Sequence, residues 1–159
     1  STKDNEWVDT FKAYEASERL LKATWEQDEE KVAELMEDAH NKAGNKTYND
    51  ESALSYAIQL AYFAAQKYYT ILPEADTGKG YADLFYIPGP KYQDKPALVI
   101  ELKYNQTAET ALSQIKRRKY PDRLEHYIGN ILLVGINYDR DIPSTDPDFK
   151  RHRCRIEEA

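Results

Sequence analysis

Two neighbouring stretches decide the fold: Gly80-Tyr81-Ala82-Asp83-Leu84-Phe85-Tyr86-Ile87, stopped by Pro88-Gly89-Pro90, and Pro96-Ala97-Leu98-Val99-Ile100-Glu101-Leu102-Lys103. Both are rich in β-branched and aromatic residues and bounded by turn formers, so both read as strands, Tyr81–Ile87 and Ala97–Lys103. A strand sends alternate side chains to opposite faces. Tyr81, Asp83, Phe85 and Ile87 therefore share one face, and Ala97, Val99, Glu101 and Lys103 share another. Glu101 and Lys103 stand about 7 Å apart by strand rise. If the two strands pair, Asp83 approaches Glu101. Two carboxylates and an ammonium at the edge of a sheet suit a hard divalent cation such as Mg²⁺, which prefers oxygen ligands and keeps several waters. Taken singly, each residue has a plainer explanation. An Asp in a strand is often a satisfied edge residue, and a Glu/Lys pair two apart is often a solvated face. Together they weigh more, because Glu101 follows Ala-Leu-Val-Ile. Burying an unpaired carboxylate there costs several kcal/mol, which a metal or a paired lysine relieves.

Outward from this pair the period changes to that of helices. Apolar residues at three- and four-residue steps predict helices over 6–23 (Trp7, Val8, Phe11, Tyr14, Leu21), 28–42 (Val32, Leu35, Met36, Ala39, with Asp28 as N-cap) and 51–69 (Leu54, Ala57, Ile58, Ala61, Ala64, Ala65, Tyr68). The stretch Gly44–Asn49 reads as a loop, and Tyr69–Leu72 as a short β-like run ended by Pro73. Thr107–Tyr120 reads as a helix capped by Thr107, with Ala108, Ala111, Leu112 and Ile115 on its buried face; Pro121 starts a further turn of helix to about Tyr127. Ile131–Asn137 is an apolar run of the kind a doubly covered strand shows, and Arg151–Ile156 reads as an edge strand. From residue 51 the order is αβββαββ. Three consecutive strands favour hairpins, and the helix before the next strand favours a parallel crossover. The expectation is an α/β domain with a mixed central sheet flanked by helices, preceded by an N-terminal helical pair. The division is 1–47, a helical appendage or linker, and 48–159, the sheet domain.

Composition narrows the chemistry. The chain has 159 residues, 41% hydrophobic and 31% charged, a soluble globular profile. No apolar run is long enough for a transmembrane helix, and no signal peptide is evident, so no membrane partner is expected. Ser1 is not an initiator Met, which points to a processed chain or a piece of something longer. The single cysteine, Cys154, leaves no internal disulfide and makes the cytoplasm the default location. His40, His126 and His152 show no zinc spacing. The net charge of −6 lies wholly in residues 1–50, which hold 7 Lys/Arg and 13 Asp/Glu; residues 51–159 hold 15 of each. Gly78-Lys79-Gly80 lacks the spacing of a phosphate-binding P-loop, so ATPase activity is expected to lie elsewhere.

The paired stretches resemble the PD-(D/E)XK nuclease motif, with Gly80-Tyr81-Ala82-Asp83 as the GxAD variant of its first half. With Tyr48-Asn49-Asp50-Glu51, Ala111-Leu112-Ser113-Gln114-Ile115-Lys116 and Leu132-Leu133-Val134-Gly135-Ile136-Asn137-Tyr138-Asp139, the chain over about residues 24–157 is similar to the C-terminal nuclease-like domain of bacterial AAA-ATPase-like proteins of unknown function. The resemblance implies a restriction-endonuclease-like αβββαβ core and a Mg²⁺-dependent nuclease, Mn²⁺ substituting, that hydrolyses phosphodiester bonds in nucleic acid, DNA before RNA. It implies that Asp83, Glu101 and the carbonyl of Leu102 hold the metal, that Lys103 is the catalytic lysine, that Glu51 is an additional acidic ligand and that Gln114 points at the site. Relatives often carry Gln and Tyr four apart; here Tyr120 lies six after Gln114. Glu74 is an outside candidate ligand. The run Lys116-Arg117-Arg118-Lys119, with Arg123 beyond, is a candidate phosphate-contacting patch, although a basic run is usually a solvated helix face. The implied partners are nucleic acid and an AAA-type ATPase module in the same longer chain. Two other functions compete: a catalytically silent nucleic-acid-binding module, and an interaction domain that docks on the ATPase through Trp7, Phe11 and Trp25.

Overall fold

Residues that alternate between apolar and polar, or run apolar without a break, assemble into one sheet of five strands. A computed structural model describes residues 2–42, 58, 61–73, 83–117, 122–127, 129–143, 145–146 and 151–159. Helices α1 (Thr2–Trp25) and α2 (Glu29–Lys42) come first, and a 3-10 helix, Phe63–Lys67, leads into β1 (Tyr69–Pro73). Strands β2 (Asp83–Pro88) and β3 (Ala97–Tyr104), helix α3 (Ala108–Arg117), a second 3-10 helix (Asp122–Tyr127), β4 (Ile131–Tyr138) and β5 (His152–Glu158) follow. Spatial order equals chain order, β1-β2-β3-β4-β5. The β1–β2, β2–β3 and β4–β5 pairs are antiparallel, and β3–β4, joined across α3, is parallel.

The helix ends follow local chemistry. Asp28 Oδ1 accepts the Lys31 N–H at 3.1 Å and caps α2, as expected. Gln27 before it takes a left-handed φ of 57°, which turns the chain sharply between α1 and α2. Thr107 Oγ1 accepts the Thr110 N–H at 3.0 Å and caps α3.

Each face of the sheet has its own cover. Leu84, Tyr86, Leu98, Ile100, Leu102, Leu132, Val134 and Ile136 pack with Leu20, Leu21, Val32 and Met36 of α1 and α2. On the other face Phe85, Ala97, Val99 and Leu133 pack with Leu112 and Ile115 of α3 and with Leu124. Strand β4 is buried at every position, as its apolar run requires, whereas β5 alternates buried and exposed. The outer edge of β5 is shielded by α2. Glu29 Oε2 accepts the Ile156 N–H at 2.7 Å, and Glu37 Oε1 accepts the His152 N–H at 2.6 Å. Two ladder groups that would otherwise invite another strand are thereby occupied.

Some expectations shift. Of the helix expected over 51–69, Ile58 and Ala61 are helical, but the chain tightens to a 3-10 turn at Phe63–Lys67 and is already a strand at Tyr69. Glu51, Glu74, Tyr81 and the Gly44–Asn49 loop lie outside the described residues. Helix α3 ends at Arg117, and Lys119 and Tyr120 also lie outside them. Trp25 does not face outward as a docking anchor. Its Nε1–H donates to Tyr69 Oη at 2.7 Å, that hydroxyl donates to the Pro96 carbonyl at 2.6 Å, and Lys95 Nζ lies 4.3 Å over the indole. Trp25 thus ties α1 to the turn between β2 and β3.

Candidate active site

The carboxylate end of the β2–β3 hairpin lies at the start of β2 and near the end of β3. Asp83 is the register partner of Glu101 in the antiparallel pair. The parallel β3–β4 pair adds Gly135 beside Glu101 and Asn137 beside Lys103. These five positions share the sheet face that α3 covers. Glu101 is 0% exposed, Lys103 1% and Asn137 2%. The side chain of Leu102 belongs to the opposite face, in the core with α1 and α2, so only its backbone can serve the site.

Lys103 Nζ lies 3.8 Å from Glu101 Oε1, an ion pair longer than a hydrogen bond. Both groups have left water, at a cost of several kcal/mol per ion that their attraction only partly offsets. Charges so placed are poor contributors to stability and are common where chemistry needs them.

The burial of Glu101 has a structural cause in Gly135. A Cβ at Gly135 would stand 2.6 Å from the Ala108 carbonyl oxygen and 3.0 Å from the Leu112 nitrogen. Absence of a side chain lets the backbone of α3 rest directly on β4, one strand from Glu101. Its N-terminal turn, the positive end of the helix dipole, rests on the position of β4 that pairs with Glu101.

Helix α3 has two unlike flanks. Glu109 approaches Arg155 Nε at 3.8 Å, and Lys116 is ion-paired with Glu157, so this flank overhangs β5. Gln114, half-buried, lies on the other flank, toward β3. Of the basic candidates, Lys116 thus faces β5 rather than Glu101. Arg117 ends α3 and Arg123 lies in the second 3-10 helix. A surface hollow of about 550 Å³, lined in part by Thr70, Ile87, Gln93 and Tyr127, sits at the β2–β3 turn. That is the opposite end of the strands from Glu101.

Of the expected oxygen donors, the Glu101 carboxylate is buried here and Asp83 is placed by its register against Glu101; carboxylate oxygens are the kind of ligand a hard divalent cation takes. Among the described residues no group of three or more His, Cys, Asp or Glu comes together. Two site residues were not singled out from the sequence, Gly135 and Asn137. Their signals were a lone Gly inside an apolar strand, which often marks close backbone approach, and the one amide in that run.

No helix of the described residues is long and apolar enough to cross a membrane. A search of the curated proteins returns no match. A family model for the PD-(D/E)XK nuclease superfamily matches residues 49–143, from before β1 to just beyond β4. The mixed five-stranded sheet with helices on both faces is that of a restriction-endonuclease-like α/β fold. Over more than half its length, and through the strands that carry Asp83, Glu101 and Lys103, the chain belongs to the PD-(D/E)XK nuclease superfamily.

Proposed function

We propose that the chain is a divalent-metal-dependent nuclease that hydrolyses phosphodiester bonds, in DNA before RNA. The observation that carries this is the register pairing of Asp83 with a wholly buried Glu101, beside an equally buried Lys103. Asp83, Glu101 and the Leu102 carbonyl would hold Mg²⁺, or Mn²⁺ in its place. Glu51 is the proposed additional acidic ligand. When bound, such an ion polarises a phosphoryl oxygen and lowers the pKa of a bound water. Lys103 supplies an ammonium next to the reacting centre, where it orients the attacking water or offsets negative charge developing on phosphate. Gln114, on the flank of α3 toward β3, would hydrogen-bond the water or the substrate. Arg117, Lys119 and Arg123, with Lys116 released from Glu157, would contact backbone phosphates and set the register of the strand without reading its sequence. We place the domain in the cytoplasm, attached to an AAA-type ATPase module of a longer chain, on the strength of the sequence resemblance.

The test is cleavage of single-stranded, double-stranded and nicked DNA, and of RNA, with Mg²⁺ or Mn²⁺ and with EDTA. Wild-type protein should cut only with metal, and Asp83→Ala and Glu101→Ala should each lose at least about a thousandfold in rate, the scale of removing a group that stabilises transition-state charge. Cleavage by both variants at the wild-type rate would sink the enzyme assignment. Metal-independent binding without cleavage would leave a silent nucleic-acid-binding module.

A further inference from the structure

Asn137 is almost wholly buried in β4, on the face that carries Glu101 and Lys103, and it is the register partner of Lys103. Its Oδ1 accepts the Gln106 backbone N–H at 3.0 Å. A backbone N–H can only donate, so the atom facing it must be the amide oxygen, and the orientation of the amide follows without ambiguity. The NH₂ end is thereby directed away from Gln106.

The anchor itself is stiff. Asn105, just before Gln106, takes a left-handed φ of 52°, a conformation Asn tolerates better than most residues. Its N–H donates to the Tyr138 carbonyl at 2.8 Å, and its Oδ1 accepts the Arg140 N–H at 2.9 Å. The loops leaving the parallel strands β3 and β4 are therefore sewn together at their carboxyl ends, where ligands bind in open α/β sheets. A side-chain amide held there, in register with a lysine, turns its oxygen to Gln106 and presents its NH₂ donors. Such donors suit an anionic oxygen.

We propose that Asn137 is a substrate-binding residue, whose amide NH₂ donates to a phosphate oxygen of the nucleic-acid strand next to Lys103. The assignment rests on the nuclease function proposed above. It adds a neutral donor that positions the phosphate while Lys103 supplies charge.

The experiment uses Asn137→Asp, which keeps an oxygen for Gln106 but replaces the donor with an acceptor, and Asn137→Ser, which shortens the donor. Steady-state cleavage gives KM and kcat, fluorescent oligonucleotides in EDTA give Kd, and thermal unfolding reports folding. The expected result is a rise of about tenfold or more in KM and Kd, the loss of one hydrogen bond to a charged group, with kcat changed much less and Tm close to wild type. Unchanged KM and Kd in either folded variant overturns the role of Asn137 and leaves the nuclease assignment standing. Unfolding of both variants overturns it too, since Asn137 is then a structural residue only. A wild-type protein that neither cuts nor binds any oligonucleotide overturns the nuclease assignment itself.

Discussion

Gly135 stands directly beside Glu101 in the parallel pairing of β3 and β4, and the space its side chain would occupy is filled by the backbone of α3. The one position without a side chain is thus what allows a helix to seal the buried carboxylate from the side of β4.

Gly135→Ala should therefore be costly although Ala is small. The atoms it would meet, the Ala108 carbonyl oxygen at 2.6 Å and the Leu112 nitrogen at 3.0 Å, are backbone and cannot rotate away. Helix α3 must shift as a body. A loss of about 1–3 kcal/mol in urea unfolding is expected, the range for overpacking, together with a fall in cleavage. Wild-type stability and activity in Gly135→Ala would show that α3 is not seated as described.

Lys103 and Glu101 form a buried ion pair at 3.8 Å. In metal-free protein Lys103→Met should lower stability by about 3 kcal/mol, as for other broken buried pairs. Glu101→Gln added to Lys103→Met should cost less than the sum of the two single losses, because the two buried charges interact. Denaturant midpoints of the two single variants and the double variant measure the coupling, and strict additivity would rule it out. None of the three should cut nucleic acid.

Acid should weaken the seam between α2 and β5. Burial holds the His40 imidazole below its ordinary value of 6.5, with the neighbouring His152 acting in the same direction. Burial pushes the Glu37 carboxyl up, but the hydrogen bond and charge of His152 outweigh it and hold the group below 4.5. A histidine with a depressed value binds fewer protons folded than unfolded, so stability falls as pH drops through about 6.5. A carboxylate with a depressed value behaves alike lower down, its contribution being lost as pH falls through 4.5 and below. The Tm should therefore decline from pH 7.5 to 5.5, and His40→Phe should flatten that part of the curve while leaving the fall below pH 4.5. A slope unchanged by His40→Phe would assign it to other groups.

Glu29 accepts the Ile156 N–H at 2.7 Å on the outer edge of β5. Glu29→Ala should expose that amide and cost about 1–3 kcal/mol, the penalty for leaving a partly buried donor unmet. Hydrogen exchange at Ile156 is the direct readout. Faster exchange there, with β3 amides unchanged, is expected; equal protection would mean that water or another group replaces the carboxylate.

The order of strands and helices was legible because local rules agree with the tertiary fold. Ile131–Tyr138 is apolar throughout because both faces are covered, and the caps Asp28 and Thr107 act within three residues of themselves. The helix expected over 51–69 was less so: its apolar spacing persists through Phe63–Lys67, while the chain there has already tightened toward the strand at Tyr69. The packing of α1 and α2 on the sheet was visible only as apolar stripes, since a stripe states that something covers it and not what.

For the site, the alternation along two strands put Glu101 and Lys103 on one face and allowed Asp83 to approach Glu101 if the strands paired, because strand period is a short-range property; the register that sets Asp83 opposite Glu101 belongs to the fold. The burial of Glu101 and Lys103, and the placing of Gly135 and Asn137 beside them, depend on β4, which joins the hairpin from further along the chain. Sequence alone therefore determined which residues are candidates for the chemistry; only the parallel pairing of β3 with β4, and the close seating of α3 it permits, decided the environment in which they stand.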